Sequence, residues 1–200
     1  MNILALHSSI NGGQSATRAM VDTFLDQALS ADPRTNVTQR DFAADPIPHL
    51  PPELVPIQFG FAPKEQTPAI ELSDTLISEL ESADVIVIGA PFYNFTIPST
   101  LKAWLDHVMR AQRTFSYASG APEGLLSADK KVVVMVASGG VYTEGPAKAM
   151  DFVEPYLRAV LGFIGLTDVT FVWAGAQANP DAGRDARANA AAQIRAMAIA

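Results

Sequence analysis

The chain has 200 residues, 48% hydrophobic and 18% charged, which fits one globular domain over residues 1–200 with a sizeable core. Its formal charge of −7 works against non-specific nucleic-acid binding, which needs a basic footprint to displace counterions from phosphates. The absence of cysteine excludes a disulfide scaffold, a thiolate metal site and a thiol nucleophile, and fits the cytoplasm. No apolar run is long enough to span a bilayer, so no membrane partner is expected.

Met1-Asn-Ile-Leu-Ala-Leu6 lacks the basic flank of a secretion signal and reads as the start of a strand, Ile3–His7. A helix follows at about Ser15–Ser30, then a strand at Asn36–Asp41. Asp45 to Pro68 holds half of the chain's 14 prolines, and proline fixes φ and removes donors, so an extended loop is expected there. Its apolar residues (Leu50, Leu54, Val55, Ile57, Phe59, Phe61) imply packing against a neighbouring subunit or the rim of a pocket. Next come a helix over Thr67–Ser82, a strand over Asp84–Ala90, a helix over Ser99–Gln112 and a strand over Lys131–Ala137. Val85-Ile-Val-Ile88 and Val132-Val-Val-Met-Val136 are continuously apolar, as strands covered on both faces are. A helix over Gly145–Ile164, a strand over Asp168–Ala174 and a helix near Pro180–Met197 complete the chain. Asn179 can cap that last helix, and Pro180 is tolerated in its first turn.

Strands alternating with helices predict an α/β fold, a doubly wound five-stranded parallel sheet with helices on both faces. Five strands favour the flavodoxin-like order 2-1-3-4-5. In such a sheet ligands bind outside the carboxyl ends of the strands, where the order reverses, so the loops at His7–Thr17, Ala90–Pro98 and Ala137–Gly145 carry the candidate site.

The first loop, His7-Ser-Ser-Ile-Asn-Gly-Gly-Gln-Ser-Ala-Thr17, offers small hydroxyls and free helical N–H groups. These suit a phosphate without a lysine, and they equally suit a polar turn with Ser15 as an ordinary N-cap. It is neither a Walker A loop nor a Gly-x-Gly-x-x-Gly fingerprint. Arg18 can approach a phosphate too, but it reads first as a solvated first-turn arginine. The second loop presents Pro91, Phe92, Tyr93, Asn94 and Phe95. Taken alone it reads first as a turn whose aromatics cover the end of the core, and it also offers an apolar wall with an amide and main-chain donors for one edge of a flat ring. The third, Ala137-Ser-Gly-Gly-Val-Tyr-Thr-Glu-Gly-Pro146, brings paired glycines that let main chain approach a ligand. In it Tyr142 either donates to a carbonyl edge or is simply exposed. A phosphate clamp, a wall and donors at a polar ring edge together describe an FMN site. No Gly-x-Ser-x-Gly elbow is present, and His7, His49 and His107 lack metal-ligand spacing, so no metal is expected and a bound flavin would carry the redox chemistry.

These residues resemble the FMN-dependent NADH-azoreductase family, a branch of the flavodoxin-like NAD(P)H-quinone reductases. The matching pieces are Ser8-Ser9, Ser15-Ala-Thr17, Ala90-Pro-Phe-Tyr-Asn-Phe95, Leu101-Lys-Ala-Trp-Leu-Asp106, Gly120-Ala-Pro-Glu-Gly-Leu125, Ser138-Gly-Gly140 and Tyr156-Leu-Arg-Ala-Val-Leu-Gly-Phe-Ile-Gly-Leu-Thr-Asp168. The resemblance implies a homodimer with FMN at the subunit interface, reduced by NADH or NADPH and reoxidised by a quinone or azo compound. It also implies that Ser9, Ser15, Ala16 and Thr17 hold the phosphate, and that Phe92 to Phe95, after Pro91, lie along the isoalloxazine. Ala137, Ser138, Gly139 and Gly140 would meet its pyrimidine edge, with Tyr142 and Asn94 as stabilisers. Phe163 corresponds to an aromatic near the substrate face and equally suits a core position. Thr17 stands where the family usually has serine. Ala137-Ser-Gly-Gly140 stands for Ser-Arg-Gly-Gly, and Tyr142 for a histidine of some relatives, which bears on flavin tuning and on the choice between NADH and NADPH. A flavodoxin-type electron carrier serving protein partners is the rival expectation.

Overall fold

A computed structural model of the protein describes residues 1–62 and 67–198. Its main sheet contains β1 (Asn2–His7), β2 (Asn36–Asp41), β3 (Val85–Pro91), β6 (Lys131–Ala137) and β7 (Asp168–Ala174), all parallel, in the order β2-β1-β3-β6-β7. Counted within this sheet, that is the expected 2-1-3-4-5. Two short antiparallel strands, β4 (Phe115–Ser116) and β5 (Glu123–Gly124), form a separate hairpin that was not foreseen.

The pleat distributes alternate residues of each strand to two apolar layers. Val85 and Val87 of β3 face one layer, with Met20, Val21, Phe24, Leu25 and Ala28 of α1 (Ala16–Ala31) and Ala190 and Ile194 of α6 (Pro180–Arg195). Ile86 and Ile88 face the other, where α3 (Pro68–Ser82), α4 (Ser99–Val108) and α5 (Glu154–Phe163) pack. β3 is buried along its whole length, which is why it reads as an unbroken apolar run. Helix starts follow local chemistry. Ser15 Oγ accepts from the Arg18 N–H, Thr67 Oγ1 from Ile70 N–H, and Asn179 Oδ1 from the N–H groups of Asp181 and Ala182.

Three expectations need correction. The helix expected to reach Gln112 stops at Val108, because the buried Thr114 hydroxyl donates to Val108 O (2.7 Å) and accepts from Arg110 N–H, while Gln112 turns to φ +64°. The helix expected from Gly145 is a 3-10 turn at Pro146–Met150 followed by α5. Asp151 Oδ1 accepts from the N–H groups of Val153 and Glu154 and restarts the helix. The proline-rich loop is not extended throughout, since Pro52–Leu54 and α2 (Val55–Gln58) form short helical turns. It packs on its own chain: Gln58 Nε2 donates to Asp106 O (2.8 Å), Ala111 N–H donates to Gln58 O, and Leu54 is buried. Phe59 and Phe61 stack on each other while remaining exposed.

His107 fastens that loop to α4. It is fully buried, its Nε2 lies 3.0 Å from Pro48 O, and its Nδ1 has no partner among the described residues. A carbonyl only accepts, so Nε2 carries a proton in this contact, and the buried Nδ1 left without a donor or acceptor partner suits the neutral ring. Burial lowers the His107 pKa from its ordinary 6.5, against the opposing pull of the Pro48 carbonyl and Asp106. The unfolded chain therefore binds the proton more readily, and the neutral ring's contribution is present above pH 6.5 and lost as pH falls below it. The melting temperature is expected to decline as pH is lowered from 7 toward 5, with a shallower decline in His107→Gln. Identical slopes in the two proteins would remove His107 from this account.

Candidate functional site

The site is assembled from four loops at the carboxyl ends of the strands. After β1, the Ser8 hydroxyl donates to Gly89 O (2.6 Å) and ties this loop to β3. Ser9 is buried, with its Oγ 3.3 Å from the Tyr93 hydroxyl. The chain then makes a 3-10 turn at Gly12–Gln14 and enters α1. Ser15 and Thr17 are both buried, and their hydroxyl oxygens lie 3.0 Å apart. Ser15 Oγ takes the Arg18 N–H and Ser15 O takes that of Ala19. The N–H groups of Ala16 and Thr17 meet no acceptor among the described residues and mark the positive end of the helix. Arg18 is not the solvated residue expected, because it donates to Gly12 O (3.2 Å) and pairs with Asp41 at 2.5 Å.

After β3, Phe92 N–H donates to Ala137 O, and Tyr93 and Thr96 exchange two main-chain hydrogen bonds of 3.0 and 3.1 Å. So tight a turn requires positive φ at both central residues, and Asn94 (+48°) and Phe95 (+73°) supply it. Asn tolerates this region, whereas a bulky phenylalanine there stores strain, a mark of sites where function sets the backbone. The Phe92 ring stacks on Tyr142 (4.3 Å between centroids, 21° between planes), and Phe95 meets both rings edge-on.

After β6, Ser138 Oγ donates to Gly140 O (2.8 Å), and three carbonyls of this loop accept from the loop after β7. Gln177 N–H donates to Ser138 O, Ala178 N–H to Gly139 O, and Ala176 N–H to Gly140 O. With their carbonyls occupied, Gly139 and Gly140 keep their N–H groups free of acceptors among the described residues. Gly140 has little room for a side chain, since a Cβ there would stand 3.2 Å from the Tyr142 ring.

These loops enclose a cleft of about 330 Å³ lined by Ser9, Ser15, Ala16, Thr17, Pro91, Phe92, Tyr93, Ala137, Ser138 and Gly139. Four further lining residues, Asn11, Gln14, Gln177 and Arg187, were not foreseen. The first two lie inside a loop already singled out. The last two come from beyond β7, a segment without glycine pairs or hydroxyl clusters to draw notice. Asn94, Phe95, Gly140 and Tyr142 stand outside this lining. Tyr142 instead borders an adjoining hollow with Lys148, Glu154, Arg158 and Trp173. Phe163 is off the cleft, tilted against Phe115 at 4.8 Å and near Tyr117 on the β4–β5 side. A larger hollow of about 520 Å³ lies by Asn2 and Asn36, at the opposite ends of β1 and β2. It draws on none of the four loops.

At one end of the cleft, buried hydroxyls and unpaired helical N–H groups suit an anion. In the same cleft, Pro91 to Tyr93 suit the face of a ring, and the free Gly139 N–H suits a carbonyl edge. The family model for the flavodoxin-like fold, Flavodoxin_2, matches residues 1–198. The chain belongs to this family. It is 50% identical over 173 residues to an FMN-dependent NADH:quinone oxidoreductase of Herminiimonas arsenicoxydans, spanning 85% of this chain and 84% of that one. To the protein of the same description from Hyphomonas neptunium it is 49% identical over 174 residues, 86% and 83% of the two chains. Among solved structures, an azoreductase from Bacillus anthracis strain Sterne superposes with a TM-score of 0.87 at 27% identity, covering 98% of this chain and 97% of that one. An FMN-dependent NADH-azoreductase from Bacillus anthracis strain Ames Ancestor, solved in complex with FMN, gives 0.85 at 26% identity, covering 98% and 96%.

Proposed function

We propose that this chain is an FMN-dependent oxidoreductase that carries electrons from NADH, or NADPH, to quinones and azo compounds, working as one domain over residues 1–200 in the cytoplasm. The observation that carries the reading is the coincidence, in one cleft, of the Ser15–Thr17 hydroxyl and N–H cluster with the Pro91–Tyr93 wall and the Gly139 N–H. The names of the relatives support the same reading. When bound, FMN would supply the redox chemistry, a two-electron transfer between the nicotinamide and the second substrate in a ping-pong cycle.

The chain's own part is to bind and orient. Ser9, Ser15 and Thr17 donate to the phosphate, joined by the N–H groups of Ala16 and Thr17. Phe92 and Tyr93 cover a ring face. Gly139 and Gly140 direct fixed dipoles at the pyrimidine edge, where negative charge grows on reduction. Asn94 and Tyr142 reinforce that edge from the rim, although neither lines the cleft in a single copy. Val141, Met150 and Phe152 are exposed, and Phe152 N–H donates to Phe95 O beside the aromatic cluster. A second copy of the chain covers this apolar rim and closes the site. Phe163 has no role that one copy makes visible.

The test is anaerobic mixing of FMN-loaded protein with NADH, following the visible flavin absorbance, with the mass of the same sample taken by light scattering. Bleaching by NADH, recovery of colour on adding a quinone or azo dye, and a mass of two chains are the expected results. Retained FMN that neither NADH nor NADPH bleaches would replace this reading with a flavodoxin-type carrier fed by a protein donor. A single-chain mass would remove the shared site.

A further inference from the structure

The cleft has one charged residue. Among the described residues its lining contains no carboxylate, and Arg187 of α6 is the lone cation in it. Arg18, the other arginine near the start of α1, is neutralised by Asp41. Arg34, Arg40, Arg110, Arg113, Arg158 and Arg184 each pair with an aspartate or glutamate. Among the arginines of the described residues, only Arg187 and Arg195 have no carboxylate within ion-pair distance, and Arg195 does not line the cleft. With 21 acidic residues against 14 basic ones, an arginine left without a carboxylate beside a polar cleft is notable.

Arg187 is also aimed. Gln177 Nε2 is shared among the carbonyls of Ala174 (3.2 Å), Gly175 (3.0 Å) and Gly183 (3.2 Å), which pins the amide. Its Oε1 accepts from Arg187 Nη1. That contact occupies one of five guanidinium donors and leaves the rest of the fork open. Gln177 itself lines the cleft, so the pinned amide holds the cation at the same cleft that Ser15 and Thr17 line.

We propose that Arg187 supplies the countercharge for the phosphate of FMN and makes the cleft select the phosphorylated flavin over riboflavin. This inference rests on the flavoenzyme reading above. The hydroxyls and helix N–H groups position a phosphate as neutral donors, and Arg187 alone among the lining residues offset its charge. A guanidinium matches phosphate oxygens with parallel N–H bonds. Because Arg187 is exposed, its contribution is screened by salt.

The experiment measures dissociation constants of FMN and riboflavin for the full chain stripped of flavin, by quenching of flavin fluorescence, at low and high salt. In Arg187→Ala the constant for FMN is expected to rise roughly tenfold at low salt and by less at high salt. The constant for riboflavin is expected to stay unchanged. Arg187→Lys restores part of the FMN affinity, and Arg195→Ala changes neither constant. An unchanged FMN constant in Arg187→Ala, or equal weakening toward both flavins, would overturn the assignment while leaving flavin binding intact. Wild-type protein that binds neither flavin would overturn the flavoenzyme reading and the role of Arg187 with it.

Discussion

Replacing Gly124 by alanine is expected to destabilise the protein by about 3 kcal/mol, the upper end of the cost of overpacking. A Cβ built on Gly124 would stand 2.1 Å from Gly165 N and 2.5 Å from Gly165 Cα and Ile164 C. All three are backbone atoms, so no rotamer change relieves the clash. The partner cannot rotate away either. Gly165 sits at φ +100°, and a Cβ there would be 2.7 Å from Leu126 O. The hairpin and the end of α5 would have to separate, losing the Leu126 N–H bond to Ile164 O (3.1 Å) and the Phe115–Phe163 contact. At 2–4 °C per kcal/mol for a chain of this size, the melting temperature falls by roughly 6–12 °C. Gly162→Ala is the internal control, since among the described residues no atom outside its own helix turn lies within 4 Å of its Cβ position in α5. That change should add about 0.5–1 kcal/mol. Equal melting temperatures for wild type and Gly124→Ala would show that the hairpin does not press on α5 as described.

The second large effect concerns the phosphate end of the cleft. The double variant Ser15→Ala, Thr17→Val is expected to weaken FMN binding by two orders of magnitude or more. Each buried hydroxyl that meets a phosphate oxygen makes a charge-assisted hydrogen bond worth about 1.5–3 kcal/mol, and each 1.4 kcal/mol is tenfold in affinity. Riboflavin affinity should change little, because the ring wall of Pro91, Phe92 and Tyr93 and the Gly139 N–H are untouched. Ser15 also caps α1 through the Arg18 N–H, so the variant loses about 1 kcal/mol of stability. Titration well below its melting temperature separates that cost from binding. An FMN constant within threefold of wild type would place the phosphate elsewhere.

Much of the architecture was legible along the chain because its signals are local. The unbroken apolar runs of β3 and β6 announced strands covered on both faces. Ser15 and Asn179 announced helix starts through the N–H groups that they cap. The strand count, with the rule that ligands bind where strand order reverses, pointed to three of the four loops of the cleft. Local signals misled where a side chain from a few residues away competed with the helix ladder. Thr114 ends α4 early, and Asp151 breaks the expected helix at 145–164 and restarts it as α5.

By itself, then, the sequence determined the α/β class, the positions of the main strands, the caps and the candidate loops, since each depends on neighbours in the chain. Only the tertiary structure decided that Gln177 and Arg187 border the same cleft as Ser9 and Thr17, that Arg18 belongs to Asp41, and that Gly124 lies against Gly165. Those relations join segments far apart in sequence, and they depend on packing, which brings together residues that carry no mark of one another along the chain.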